Sequence, residues 1–121
     1  MTRNKNSTRY YSSRQEHQVA KSIGGKVTAN SGATVFGAGD VIAEDFIIEC
    51  KTVTGPRESV SVKKDWIYKN REEAFQMGKH HSAVVIQFEP DGENHYIISE
   101  RDFKEYMDYL RDIIREVDDG K

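Results

Sequence analysis

Two short apolar runs, Val41-Ile42-Ala43 and Phe46-Ile47-Ile48, are separated by only Glu44 and Asp45. A two-residue break between strand-like runs leaves room for little but a tight hairpin. The hairpin fixes a register. With the turn centred between Glu44 and Asp45, Ala43 faces Phe46, Ile42 faces Ile47, Val41 faces Ile48 and Asp40 faces Glu49. Ile42 and Ile47 fall on one face, and Val41, Phe46, Ile48 and Cys50 on the other. Strands apolar on both faces belong inside a covered sheet.

The rest of the chain supplies the cover. Ser13-Arg14-Gln15-Glu16 fits a capping box, so a first helix is expected from Ser13, stopped by Gly24-Gly25. Residues 1–11 read as a flexible basic arm. Lys26 to Asn30 suggests a short strand, followed by a glycine-rich stretch to Gly39, and Gly55-Pro56 closes the hairpin strand. Val62 to Met77 is helix-compatible, with Gly78 as its cap. Ala83 to Phe88 is a buried-type strand, Pro90-Asp91-Gly92 a turn, and Tyr96-Ile97-Ile98 a further strand. Ser99 caps a last helix whose apolar stripe runs from Phe103 through Leu110 to Val117, with residues 118–121 frayed. The expected class is α/β, one domain over 1–121, with a mixed central sheet flanked by helices in the order α-β-β-β-α-β-β-α.

Charge and composition exclude several classes. The longest uncharged run, Val27 to Gly39, is too rich in Gly, Ser, Thr and Asn to span a bilayer. No apolar stretch follows the N-terminus as a secretory signal requires, and a lone cysteine excludes an internal disulfide. A cytoplasmic protein with no membrane partner is expected. The net charge of −2 is unevenly spread. Residues 1–39 hold six basic side chains and one acid, whereas residues 80–121 hold five and eleven. A basic first third can meet a polyanion although the whole chain is acidic.

The hairpin register brings Asp40 opposite Glu49, and Lys51 points to the same face two residues on. Carboxylates about 5 Å apart repel by roughly 3 kcal/mol at an effective dielectric near 20. Lys51 offsets part of that and a divalent cation offsets more; two carboxylates plus waters suit Mg²⁺. The plainer alternative is a solvated Lys51–Glu49 pair. Glu16 adds a second anomaly, because it heads the buried stripe Val19, Ala20 and Ile23 of the first helix. It either closes the capping box or needs a partner or metal.

These residues resemble a family. Asp40, Glu49 and Lys51 form the D-x₈-E-x-K pattern of the PD-(D/E)XK nucleases, with Glu16 at the place of their first-helix acid. Ala29-Asn30-Ser31-Gly32-Ala33 and Gly39-Asp40-Val41-Ile42-Ala43 look closest to Hjc-type Holliday junction resolvases of archaea and their phage relatives. The likeness runs from about Ser13 to Ile98, with Gly39 where the name motif has proline. The resemblance implies a restriction-endonuclease-like core and a Mg²⁺-dependent endonuclease, with Mn²⁺ able to substitute. It implies that Asp40, Glu49 and the Cys50 backbone carbonyl hold the metal, that Glu16 joins them directly or through water, and that Lys51 serves the attacking water and scissile phosphate. The substrate would be branched DNA, four-way junctions above all. A two-fold dimer suits two symmetric cuts, and a phage-encoded chain would work in the host cytoplasm. Arg9, Arg14, Lys26, Ser31, Lys63 and Lys64 are the candidate DNA contacts, positioning the backbone without reading sequence. Alternatives are a nuclease of this fold acting on flaps, nicks or linear ends, a non-catalytic DNA-binding protein on it, or a small interaction domain with accidental hairpin charges.

Other features invite plainer readings. His80 and His81 are adjacent, and neighbours on a strand point to opposite faces, so a loop-to-strand boundary is expected rather than a metal site. Cys50 reads as a small buried side chain. Trp66 and Tyr68, with the aromatics of the last helix, read as core or dimer contacts.

Overall fold

The computed structural model describes residues 8–28 and 40–120. Their elements are α1 (Thr8–Ile23), β1 (Lys26–Val27), β2 (Val41–Ala43), β3 (Phe46–Lys51), α2 (Lys64–Gln76), β4 (His81–Ile86), β5 (His95–Ile97) and α3 (Glu100–Asp119). The strands form one mixed five-stranded sheet in the order β1-β2-β3-β4-β5. β3 and β4 are parallel and the other neighbours antiparallel. A parallel neighbour requires a crossover, and α2 provides it. The described residues are thus α/β, with three helices.

The hairpin has the register that its two-residue turn demands, Val41 opposite Ile48, Ile42 opposite Ile47 and Ala43 opposite Phe46. Glu44 takes the left-handed conformation this turn needs, at φ 49°. On one face Val41, Ala43, Ile48, Cys50, Ala83 and Val85 pack with Val19 and Ala20 of α1. On the other, Ile47 and Val84 are buried beneath α2, whose own buried residues are Asn70 and Ala74. The Asn70 amide donates to the carbonyls of Ile47 (3.2 Å) and Ala83 (3.0 Å), tying α2 across both parallel strands.

Several boundaries depart from expectation. α1 begins at Thr8, so Thr8 to Tyr11 are its first turn rather than part of an arm. Ser13 does not cap it. Serines survive inside a helix by bonding back to the preceding turn, as Ser12 Oγ does to the Arg9 carbonyl at 3.1 Å. Glu16 therefore sits mid-helix and closes no capping box. α2 starts at Lys64, behind an extended Lys63. β4 and β5 begin earlier than expected, at His81 and His95. α3 continues through Asp119, with Ser99 Oγ accepting the Asp102 N–H (3.1 Å) at its start.

Gly24 and Gly25 end α1 by different means. Gly24 adopts φ 71°, which favours glycine, whereas Gly25 lies so close to β2 that a β-carbon would meet the Ile42 carbonyl at 2.8 Å. This close approach brings α1 onto the hairpin. α3 behaves differently: Asp102 is its only residue buried. Phe103, Leu110, Ile114 and Val117 are between 50% and 62% exposed, so the predicted apolar stripe exists but the described chain does not cover it. Among the described residues no helix is long and apolar enough to cross a membrane.

Candidate functional site

Asp40 stands where three strands meet. Its N–H donates to the Ile48 carbonyl (2.9 Å) and its carbonyl accepts the Thr28 N–H (3.0 Å). Its carboxylate accepts the Cys50 N–H at 2.8 Å through Oδ2. Backbone bonds to both neighbours leave this side chain little freedom, and they place it at the mouth of the hairpin beside Glu49. Lys51 Nζ lies 3.3 Å from Glu49 Oε1, with both side chains largely buried.

Glu16 reaches the same place from α1. Half-burial, then the Asp40 charge, and to a smaller extent that of Glu49, push its carboxyl up to about 7. Burial, followed by Asp40, raises the Glu49 carboxyl as well, while Lys51 works against that rise. The Cys50 thiol is driven up by burial and by the same three carboxylates, which fits an inert core side chain and not a nucleophile. Glu16 on α1, Asp40 just ahead of β2 and Glu49 on β3 thus lie close enough for the charge of Asp40 to raise both other acids, while Lys51 pairs with Glu49. Such a group favours a cation, and its all-oxygen donors suit a hard one such as Mg²⁺.

Trp66 has a contact that the sequence did not signal. Lys51 Nζ sits 4.7 Å from the centroid of this half-buried ring, so Trp66 also forms a wall beside the lysine that pairs with Glu49. Nothing local in the sequence signals this, because it depends on how the first turn of α2 crosses the end of β3. The same crossing brings Lys63 and Lys64, at the start of α2, to this end of the sheet, with Lys64 Nζ 5.5 Å from the Tyr68 ring.

The remaining candidates are distributed around this centre. Arg9 is exposed in the first turn of α1 and lies close enough to Glu16 for its charge to oppose the rise in that carboxyl. Lys26 is exposed on the edge strand β1. Arg14 is engaged elsewhere: its guanidinium pairs with Asp91 at 3.0 Å, and Gln18 donates to the same carboxylate at 2.8 Å. Asp91 occupies the β4–β5 turn at φ 60°, and these two partners hold it there. Ser31 lies outside the described residues.

At the opposite end of the sheet the expected loop-to-strand boundary falls between His80 and His81, and both rings approach one carboxylate. His80 precedes β4, where alternation does not apply. His80 Nδ1 lies 2.7 Å, and His81 Nε2 4.0 Å, from Asp45 Oδ2.

Comparison with family models, with curated proteins and with solved structures returns no match for this chain.

Proposed function

We propose that the chain is a Mg²⁺-dependent, structure-selective DNA endonuclease on a restriction-endonuclease-like core, acting on four-way junctions. The observation that carries this reading is the meeting of Glu16, Asp40 and Glu49 beside the Glu49–Lys51 pair, with the Glu16 carboxyl held up to about 7 by burial and the neighbouring acids. The mixed sheet supports it: an antiparallel hairpin feeds, through α2, a parallel fourth strand, and the helix–three-strand–helix–strand order suits that core.

Asp40, Glu49 and the Cys50 carbonyl would hold the metal, with Glu16 completing the set or taking a water. When bound, Mg²⁺ supplies charge stabilisation at the phosphate and an activated water. The chain supplies the positioning. The Cys50 N–H fixes the Asp40 carboxylate. Glu49 and the Trp66 ring fix the Lys51 ammonium, leaving it able to donate to a phosphate oxygen as negative charge develops there. Arg9, Lys26, Lys63 and Lys64 contribute contacts to the DNA backbone. Arg14 joins them by exchanging Asp91 for phosphate.

The partner on α3 is a second copy. Phe103, Tyr106, Leu110, Ile113 and Val117 repeat at alternating spacings of three and four, and Ile114 widens the seam. Beside the stripe lies an apolar groove of 390 Å³ lined by Ile23, Phe46, Tyr96 and Ile98. Half-exposed side chains of this size offer on the order of 100 Å² each, so stripe and groove together approach the roughly 800 Å² that a stable interface takes from each partner. One patch carrying both ridge and groove is self-complementary, as a two-fold dimer requires.

The test is incubation of a labelled four-way junction, a flap and a linear duplex with the protein, in Mg²⁺ and in EDTA. Paired symmetric nicks confined to the junction and to Mg²⁺ are expected. Cutting of flap or linear DNA instead would retain the centre and change the substrate. Binding without cutting of any substrate would leave a non-catalytic DNA-binding protein.

A further inference from the structure

The β2–β3 turn and the starts of β4 and α3 converge at the end of the sheet away from Lys51. Lys51 pairs with Ile86 at one end of β3 and Phe46 with His81 at the other, about 16 Å along the strands. There His81 Nδ1 lies 2.8 Å from Oδ1 of Asp102, which is 2% exposed. An ionised carboxylate can only accept, so Nδ1 is the donor in this bond. Two further carboxylates lie near Nε2, with Glu105 Oε2 at 3.5 Å and Asp45 Oδ2 at 4.0 Å. Phe46 stacks on the imidazole at 5.0 Å and 26°, fixing its plane. Arg101 Nε, 3.6 Å from Asp102 Oδ1, balances the buried carboxylate from outside.

Nε2 serves these oxygens either as a second N–H donor or, unprotonated, as a metal ligand flanked by carboxylates. Imidazole nitrogen with carboxylate oxygens selects zinc-class ions over Mg²⁺. A carboxylate on the second ring nitrogen is the outer partner that metal-ligating histidines characteristically have. We propose that His81 Nε2, Glu105 and Asp45 bind a divalent transition-metal ion of the zinc class, with Asp102 as the positioning residue that orients His81. His80 holds the Asp45 carboxylate in place, with its Nδ1 2.7 Å from Oδ2 and its backbone N–H donating to Oδ1 at 3.1 Å. The ligands come from the hairpin turn, β4 and α3, so the ion bolts α3 to the sheet at the point where the helix has its one buried residue. This site shares no residue with the Asp40 centre and does not rest on the nuclease reading.

The test uses an Asp40→Asn/Glu49→Gln double variant, which removes the other centre, titrated with Zn²⁺ by calorimetry and followed by thermal unfolding. One equivalent of Zn²⁺ and a raised Tm are expected, with no such response to Mg²⁺. Glu105 is 61% exposed, so adding Glu105→Gln leaves the packing intact and is expected to weaken Zn²⁺ binding about tenfold or more. Adding Asp102→Asn weakens it roughly 10–100-fold while the ligands remain. Absence of Zn²⁺ binding in the double variant overturns the proposal, and so does binding that Glu105→Gln leaves unchanged.

Discussion

The pH behaviour of the protein turns on Glu16. Its carboxyl is raised to about 7 in the folded state from an ordinary 4.5, so the folded protein holds a proton that the unfolded chain releases. Below 4.5 both states are protonated and the shift has no effect. Between 4.5 and 7 stability falls as pH rises, and above 7 the full cost of the ionised group is present. In EDTA the protein is therefore expected to melt at a lower temperature at pH 8 than at pH 5.5. Glu16→Gln should flatten that slope and raise the Tm at pH 8, as read by thermal denaturation across the range. A slope unchanged in Glu16→Gln would remove Glu16 from the cluster. Only part of this was legible in the sequence. The Asp40–Glu49 opposition follows from a two-residue turn, which fixes parity. The place of Glu16 does not, because a serine that resembles a cap can also sit inside a helix. Trp66 over Lys51 and the two histidines on Asp45 depend on where α2 crosses and where β4 begins, and no local pattern encodes either.

At the scale of elements, the site depends on how α1 closes onto the hairpin. Gly25 permits that approach, since a β-carbon there would meet the Ile42 carbonyl at 2.8 Å and the Ala43 β-carbon at 3.0 Å. Gly25→Ala has to push backbone, and overpacking of this kind costs about 1–3 kcal/mol. A lower denaturant midpoint with an unchanged m-value is expected, together with weaker Mg²⁺ binding as Glu16 moves from Asp40. Full stability would mean that the close approach is not needed. The helices differ in how far their sequences reveal them. The stripe of α3 is evident from its spacing, but spacing says nothing about what a stripe packs against. For α2 the apolar periodicity was a weak guide, because the residue that ties it to the sheet is Asn70, a polar side chain bonded to two strand carbonyls.

For the whole molecule, charge and apolar surface lie in different places. The carboxylate centre and its surrounding cations occupy one end of the sheet. The exposed apolar face of α3 is the surface proposed to take a second copy. Sedimentation at micromolar concentration is expected to show a dimer, and Leu110→Asp combined with Ile114→Asp a monomer of unchanged helix content. A monomeric parent protein would end the dimer proposal without touching the catalytic one. The central claim, that Asp40, Glu49, Glu16 and Lys51 form one hydrolytic centre, is tested most directly with Asp40→Asn and Lys51→Ala. Both are assayed for four-way-junction cleavage in Mg²⁺, with junction binding measured on the same preparations. The account predicts that each variant loses cleavage by orders of magnitude while binding the junction within a few-fold of the parent. Cleavage near the parent rate in either variant would contradict it.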